Sequence, residues 1–301
     1  MSGADVDTLP SADTVEAPLA VHITSASSSV LARLARHPSG RIGLVLTVLL
    51  VALTVLGPML TADPDTADFA NKLQGPSAEH LLGTDEAGRD QLARIAAGAR
   101  TTLGAAAAIF VLTTTIGLAL GSTAGLAGGL VDSLLSRLVD VMLGIPSLIL
   151  ALAVVGALGP SLRNLIIAMT LGGWAYPARL ARSYVLGANQ RPDVVAARMA
   201  GVGPLRRAFG HVLPGVVAQL MIAATLELSS IILGLSALSF LGLGVQPPTA
   251  EWGRMLAESR DVVNRAPELA LAPGLAIMAA VAASLLISEA LRDVTDPSWQ
   301  R

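Results

Sequence analysis

Few residues in this 301-residue sequence could support covalent or proton-transfer chemistry. Cysteine is absent, which excludes disulfides, thiolate metal sites and cysteine nucleophiles. Neither an HExxH zinc motif nor a Gly-rich loop ending in Gly-Lys-Ser/Thr is present, so the sequence predicts neither a zinc protease nor an ATP-binding loop. The histidines all lie outside the long apolar segments, which excludes a membrane-buried Ser–His pair; they are His22, His37, His80 and His211.

One polar segment contains four side chains that could be combined into a metal site, namely His80, Asp85, Glu86 and Asp90. The segment has no second histidine and no helical i, i+4 His pair, which zinc sites commonly use. Gly83 and Gly88 instead indicate turns, and aspartates such as Asp85 and Asp90 can cap helices. We therefore favour a hydrogen-bonded loop over a metal site, and no metal is expected.

Glu227 is the one acidic residue well inside a predicted apolar span. An ionisable side chain is costly in lipid, so it should face protein or water. Two roles remain open from the sequence. The carboxylate could line a translocation path and meet a cationic or amino group, or it could hydrogen-bond to Ser229, Ser230 or a neighbouring helix.

The 192–214 loop is the polar segment best suited to a mechanism. Pro192 fits the first position of a short helix, Asp193 fits its positive end, and Gly201 can end it in a left-handed cap. A second amphipathic stretch follows, with Leu205 and Phe209 on one side. On chemistry alone, a basic amphipathic loop lying on the bilayer and a docking helix fit these residues equally well.

The elements around these residues are predicted from composition. The chain is 53% hydrophobic and only 14% charged, whereas a soluble domain carries about 25% charge. Its mean hydropathy is +0.65. The missing charge predicts a lipid-facing surface, and the net charge of −2 gives no indication of nucleic-acid binding.

Charge-free runs of about 20 residues indicate transmembrane helices, and the sequence predicts an all-α membrane protein with six of them. They are residues 42–60, a span within 101–131, and residues 141–162, 164–178, 214–239 and 269–288. With both termini inside, the inner segments hold twelve Lys or Arg residues and the outer segments eight. This excess favours an N-in, C-in orientation.

Glycines recur every fourth residue on the second predicted span, at Gly117, Gly121, Gly125 and Gly129. Such a stripe allows helices to approach closely. Packing within the chain is the first interpretation, and contact with a partner subunit along a pore is the alternative.

Several motifs, in order along residues 36–297, resemble the permeases of ABC importers of the dipeptide/oligopeptide/nickel family. In the 192–214 loop they are Ala196-Ala197, Gly201 and His211-Val-Leu-Pro214, which match the family's EAA loop. Elsewhere they are His80-Leu-Leu-Gly-Thr-Asp-Glu-Ala-Gly-Arg-Asp90, Gly98-Ala-Arg-Thr-Thr-Leu103, Ala237-Leu-Ser-Phe-Leu-Gly-Leu-Gly-Val-Gln-Pro-Pro248 with Trp252-Gly253, and Leu291-Arg-Asp-Val-Thr-Asp-Pro297. The stretch 36–64 resembles the leader of the C-type subunit.

The resemblance implies the type I importer permease fold in the cytoplasmic membrane of a prokaryote. It implies a homologous second permease, two ATP-binding subunits that hold ATP and Mg, and an extracytoplasmic solute-binding protein. The chain itself would bind no cofactor and would not be an enzyme. Its substrate would be di- or oligopeptides, or alternatively nickel or another small solute. A secondary transporter acting without an ATPase is the alternative of a different class.

The same resemblance assigns ATPase docking to the 192–214 loop. The residues that it implicates are Asp193, Ala196, Ala197, Arg198, Gly201, Leu205, His211 and Pro214. One position departs from the family pattern, because Val195 stands where the family has an acid. Asp193, two residues earlier, is the alternative source of a carboxylate for an ATPase arginine.

The resemblance and the spans together divide the chain into four parts. Residues 1–35 are predicted to form a disordered cytoplasmic tail, and residues 36–97 a leader with the first transmembrane helix and an outer loop. Residues 98–292 would form the transporter domain with five helices, and residues 293–301 a C-terminal cytoplasmic tail.

Overall fold

A computed structural model describes residues 30–295 of the chain. That part contains twelve α-helices. They are α1 (Val30–Leu34), α2 (Pro38–Leu60), α3 (Gln91–Ala127), α4 (Gly129–Gly144), α5 (Ser147–Leu158), α6 (Leu162–Gly173), α7 (Ala175–Ala188), α8 (Pro192–Met199), α9 (Pro204–Arg207), α10 (Leu213–Phe240), α11 (Trp252–Ser259) and α12 (Glu268–Thr295). A 3₁₀ turn at Phe69–Asn71 and a π-helical turn at Ala208–Val212 complete the regular elements there.

Four of these helices are long and apolar enough to cross a membrane, and they are α2, α3, α10 and α12. They correspond to the first, second, fifth and sixth predicted spans. The helix α3 begins at Gln91, before the charge-free run, because the Asp90 carboxylate accepts a hydrogen bond from the Ala93 N–H at 2.8 Å and caps it. The predicted domain boundary between residues 97 and 98 therefore falls inside a helix.

The third predicted span, residues 141–162, is wrong as a single helix. The chain bends by 85° between α4 and α5, and the pair supplies a fifth candidate crossing only if the two are counted together. Pro146 causes the break, since it lacks an N–H and disfavours the helical conformation of the preceding residue. Ile145 is accordingly extended, with φ −95° and ψ 123°.

The fourth predicted span, residues 164–178, corresponds to parts of two consecutive helices, α6 and α7. Only Trp174 separates them, and its backbone remains helical, with φ −72° and ψ −23°. The structure thus extends this helical path at both ends of the predicted segment, from Leu162 to Ala188.

Both predicted tails differ from the structure at their inner edges. Residues 1–29 and 296–301 lie outside the described part of the chain. The last residues of the predicted N-terminal tail form α1, which packs on α12 and buries Leu34. The helix α12 extends to Thr295, beyond the predicted start of the C-terminal tail.

The helices α3 and α7 approach each other closely, and glycines make this contact possible. A Cβ atom at Gly117 would lie 2.5 Å from Pro177 Cβ, and one at Gly121 would overlap the carbonyl oxygen of Ala178. The third glycine of the stripe, Gly125, lies equally close to α7. The stripe therefore packs within the chain at these three positions.

Gly129 does not belong to this stripe. It begins α4, after α3 has ended at Ala127, and no other atom lies within contact distance of a Cβ built on it. Its φ of +55° follows the φ of +64° at Gly128. Two consecutive left-handed residues favour glycine, and they turn the chain away from the α3 axis.

The bundle has two ends that differ in their polar segments. We call the end that carries the 192–214 loop the loop end. The opposite end is formed by the segment between α2 and α3, by the start of α3 and by α11. The main apolar core lies nearer the opposite end and includes Ile109, Val155, Leu165, Leu235 and Trp252.

Candidate docking loop and membrane cavity

The short helix predicted in the 192–214 loop is confirmed as α8. Pro192 occupies its first turn, where a missing N–H leaves no hydrogen bond unmade, and Asp193 lies in the same turn. Gly201 ends the helix with a φ of +79°. The Val202 N–H donates to the Ala197 carbonyl oxygen at 3.0 Å, which satisfies one of the last helical acceptors.

Two valines attach this loop to the bundle. Val194 of α8 is 2% exposed and Val212 of the π-helical turn is fully buried. Both pack with Val185 of α7 and Leu220 of α10. The turn Ala208–Val212 joins α9 directly to α10, so the loop is continuous with a membrane helix.

The remaining large apolar side chains of the loop face outward. Met199 is 85% exposed, Leu205 74% and Phe209 69%. Leu205 and Phe209 also line a groove of about 520 Å³ between α8, α9 and the end of α3, where Leu126 forms part of the wall. An apolar surface of this kind on a well-anchored loop is typical of a protein contact.

The predicted role of Asp193 as a free carboxylate is not supported by its contacts. Both of its oxygens accept hydrogen bonds from the chain's own Arg191, from Nε at 3.0 Å and from Nη2 at 2.8 Å. In a bidentate pair, two parallel N–H···O hydrogen bonds fix the guanidinium relative to the carboxylate. A partner arginine would have to displace Arg191 to reach this carboxylate.

The other residues implicated in docking are accessible. Ala196, Arg198, Gly201, His211 and Pro214 are exposed, and Ala197 is half-buried. The small side chains of α8 thus lie on the same outward surface as Met199.

Glu227 lines a cavity of about 450 Å³ that is open at the surface of the bundle, where Leu148 and Leu233 of its lining are exposed. Its walls come from α3, α5, α6, α7 and α10, and they include Thr113, Ser147 and Ser230 as hydroxyl-bearing residues. Most of the remaining lining is apolar. Glu227 is the only charged side chain among the described residues of the lining.

The hydrogen-bonding alternative for Glu227 is not observed. Ser229 donates instead to the carbonyl oxygen of Leu226, at 2.7 Å. Within residues 30–295, no hydrogen bond or ion pair is formed by the Glu227 carboxylate. A carboxylate in such surroundings has unused capacity for a cationic or hydrogen-donating group.

At the opposite end, the four candidate metal ligands have other partners or face outward. His80 and Asp90 contact each other at 2.9 Å, and Asp90 also caps α3. Asp85 accepts from two backbone N–H groups of its own turn and from the Arg89 Nε at 2.7 Å. Glu86 is exposed. The predicted helix cap at Asp90 is confirmed, whereas Asp85 caps a turn.

A buried ion-pair cluster joins this segment to α11. Arg94, 1% exposed, lies 2.8 Å from Glu258 and 3.1 Å from Asp85. Glu258 also pairs with Arg254 at 3.2 Å. The arginine therefore connects the segment before α3, α3 itself and α11.

Glu251 and Trp252 attach α11 to α3. Glu251 accepts hydrogen bonds from the N–H groups of Gly253 and Arg254 and from the Thr102 hydroxyl, at 3.0, 2.9 and 3.0 Å. The Trp252 Nε1–H donates to the Ile95 carbonyl oxygen at 3.0 Å. Burial raises the pKa of Glu251, and these hydrogen bonds partly oppose the rise.

A model of the family described as "binding-protein-dependent transport system inner membrane component" matches residues 117–301, which include the 192–214 loop, α11 and the cavity-lining parts of α5, α6, α7 and α10. The chain belongs to this family. A second model, the N-terminal transmembrane domain of oligopeptide transport permease C, matches residues 25–76 of the permease. The match includes α2 and the leader-like segment.

Curated relatives extend the similarity over most of the permease. The nickel transport system permease protein NikC of Escherichia coli is 40% identical over 260 residues, covering 86% of this chain and 94% of the relative. The di/tripeptide transport system permease protein DppC of Pseudomonas aeruginosa is 43% identical over 269 residues, covering 87% and 89%. The dipeptide permease DppC of Alkalihalophilus pseudofirmus is 39% identical, covering 86% of each.

These similarities establish the chain as a multi-pass permease subunit of an ABC importer in the bacterial cytoplasmic membrane. In this family the ATPase activity belongs to separate subunits, so the permease is a membrane component and not itself an enzyme. The alternative of a secondary transporter is thereby set aside.

Sequence reasoning missed the residues that organise the opposite end. Glu251, Arg94 and Glu258 were not singled out, because their partners are remote in sequence: 164 residues separate Arg94 from Glu258. No local signal marks Glu251, because the residues typical of a helix N-cap are Ser, Thr, Asp and Asn.

Proposed function

We propose that this permease imports di- or oligopeptides together with a homologous second permease. Two ATP-binding subunits would bind ATP and Mg, and an extracytoplasmic binding protein would deliver the substrate. The relatives named for di/tripeptide and dipeptide transport support this assignment. The similarity to the nickel permease supports nickel as the second candidate substrate.

The proposed topology has six crossings with both termini inside. The crossings are α2, α3, the bent pair α4–α5, the consecutive pair α6–α7, α10 and α12. The helical backbone at Trp174 supports the continuity of α6 and α7. The excess of arginine in the segments of the loop end supports its cytoplasmic location. The division into residues 1–35, 36–97, 98–292 and 293–301 remains part of this proposal.

The 192–214 loop is proposed to dock an ATPase subunit. The observation that supports this role is the combination of the buried anchors Val194 and Val212 with the exposed Leu205 and Phe209. Anchored apolar side chains can insert into a partner groove with little loss of conformational freedom. Since Asp193 is paired with Arg191, the contact would be mainly apolar.

Glu227 is proposed to lie on the translocation path. The unpaired carboxylate in an otherwise mostly apolar cavity supports this role. A peptide ammonium group or a nickel ion would each meet a complementary charge there, so this residue alone does not select between the two substrates.

The experiment is uptake by proteoliposomes that contain the permease with its partner subunits. Labelled alanylalanine and Ni²⁺ are offered separately, with and without ATP. ATP-dependent accumulation of alanylalanine, and not of Ni²⁺, is expected. Uptake of either substrate that is independent of the ATPase subunits would overturn the proposal.

The Glu227→Gln variant tests the path role in the same vesicles. Loss of a charge-assisted hydrogen bond should lower the rate of alanylalanine uptake about tenfold. The control is Glu289→Gln, because Glu289 is an exposed acid on α12 that is not part of the cavity lining. Unchanged uptake by Glu227→Gln would remove this residue from the path.

A further inference from the structure

Two ion pairs join α4 to α7 at the loop end. Arg179 Nη2 lies 2.6 Å from Asp140 Oδ1, and Arg182 Nη2 lies 2.7 Å from Asp132 Oδ2. Arg182 also donates through Nε to the other Asp132 oxygen, which makes this pair bidentate. The Ser136 hydroxyl donates to Asp132 at 3.2 Å.

The spacing of the acids shows that these contacts form a row along the helix. Asp132, Ser136 and Asp140 are four residues apart, so they lie on one face of α4. Arg179 and Arg182 are three apart on the facing side of α7. A row of this kind fixes the rotation and the position of one helix along the other.

Beside the ion pairs, α4 is held by apolar packing on α3 and α7. Its only buried residue is Val139, which packs against Trp174, Ala175 and Ala178. A cavity of about 160 Å³ lies between α4 and its neighbours. The outer face of α4 is exposed and includes Leu130 and Leu134. The ion pairs are therefore the polar part of the contact between α4 and α7, beside the apolar packing around Val139.

The pairs are too exposed to act chiefly through stability. The side chains of Arg179 and Asp140 are 53% and 66% exposed, and those of Arg182 and Asp132 are 36% and 20% exposed. Exposed ion pairs contribute little to folding free energy. What they supply here is a defined geometry between two helices.

Each of the two helices leads to a functional element. The helix α7 is separated from α8 of the 192–214 loop by three residues only. The helix α4 is separated from α5 by Ile145 and Pro146, where the chain bends by 85°. Ser147, Leu148 and Ala151 of α5 line the cavity that contains Glu227.

We propose that the Asp132–Arg182 and Asp140–Arg179 pairs are positioning residues that transmit movement of the docking loop to the cavity. They hold α4 on α7, so a displacement of α8 and α7 moves α4 as well. Because the helical hydrogen bonds are interrupted at Pro146, α5 then reorients and the cavity wall changes. This inference rests on the proposed docking role of the 192–214 loop.

The first test uses charge substitutions in the complete transporter in proteoliposomes, with ATP hydrolysis and alanylalanine uptake measured in the same vesicles. Asp132→Asn and Arg182→Gln should each lower the uptake per ATP hydrolysed by about fivefold, within the usual range of coupling between sites. Exchange of the two charges, Asp132→Arg with Arg182→Asp, should recover most of the ratio. The matched control is Arg137→Gln on the exposed side of α4, which should keep the wild-type ratio.

The outcomes distinguish a role of the ion pairs in transmitting movement from a purely structural role. If hydrolysis, uptake and the amount of assembled complex fall together, the pairs are structural and the inference is overturned. The same conclusion follows if the single variants keep the wild-type ratio or if the exchanged pair recovers none of it.

The charge exchange of the first test places an arginine in the first turn of α4, and a second test avoids this. The natural chain has no cysteine, so Asp140→Cys with Arg179→Cys introduces a unique thiol pair. Before crosslinking, the double-cysteine variant should show a lowered uptake per ATP hydrolysed. Bridging the two thiols with a short bifunctional thiol reagent should restore this ratio. No difference between the bridged and unbridged forms would overturn the inference. Failure of the docking role itself would be seen separately, as unchanged ATPase retention when Leu205 is replaced by serine.

Discussion

At the opposite end of the bundle, charged side chains are buried and paired, whereas at the loop end large apolar side chains face outward. Arg94 is 1% exposed and contacts two acids, while Leu205 is 74% exposed. The first arrangement fixes α11 and the polar segment on α3. The second leaves an anchored surface available to another protein. Substitutions should therefore act on folding at one end and on assembly at the other.

Replacing Arg94 with alanine should have the largest effect on stability. It removes the most buried counter-charge of Asp85 and Glu258, which keep only the more exposed Arg89 and Arg254 as partners. Breaking such a pair by removing one partner costs about 3 to 5 kcal/mol. The free energy of unfolding in mixed micelles measures the effect.

The control for this variant is Arg100→Ala, on the same helix but exposed. It should change the free energy of unfolding by less than about 0.5 kcal/mol. Equal effects of the two substitutions would show that the buried cluster does not hold the opposite end together.

Thr102→Val should have the next largest effect. The Thr102 hydroxyl donates to Glu251 and accepts a hydrogen bond from the backbone N–H of Trp252 at 3.1 Å. Valine keeps the shape but leaves two buried polar groups short of a partner, which should cost about 2 kcal/mol. Thr101→Val, at the neighbouring and less buried position, should cost far less in the same unfolding assay. Similar values for the two would contradict the proposed attachment of α11.

The contrast between the ends also explains what the sequence could predict. The helix α8 was predicted because its signals are local: Pro192 at its start and Gly201 at its end. The contact of Thr102 with Glu251 spans 149 residues and has no local pattern. The motif 98–103 includes Thr102 but no sequence motif includes Glu251, and only the fold brings the two residues together.

The failed predictions have local physical causes. A scan for charge-free runs ignores Pro146, so it joined two helices that the proline separates. The four-residue spacing of the glycines does not reveal that α3 ends before Gly129, where two residues with positive φ turn the chain. The docking role of Asp193 is a different case and stays a prediction, because its exposed pair with Arg191 depends on side-chain geometry that the sequence does not show.

Stability should fall as pH rises through the range in which Glu251 ionises. Its pKa in the folded state is raised by burial, so the folded state binds this proton more tightly than the unfolded state does. The contribution is complete below the unfolded pKa of about 4.3 and is lost as pH rises through the higher folded pKa.

The measurement is the melting temperature of the wild type and of Glu251→Gln between about pH 4 and pH 8. This range begins near the unfolded pKa and extends past neutrality. That variant should lose this component of the pH dependence, whereas Glu86→Gln, at an exposed position of the same end, should retain it. Parallel curves for the wild type and Glu251→Gln would contradict the prediction.

Leu205→Ser should change folding least and assembly most. Because the side chain is largely exposed, its loss should alter the free energy of unfolding by less than about 0.5 kcal/mol. If it inserts into a groove of the ATPase subunit, truncation should cost about 2 kcal/mol of binding, or roughly thirtyfold in affinity. Retention of the ATPase subunit on affinity-purified permease measures this loss. Leu81, 63% exposed at the opposite end, provides the matched control, and Leu81→Ser should retain the ATPase. If both serine variants retain it equally, the difference between the two ends does not extend to ATPase docking.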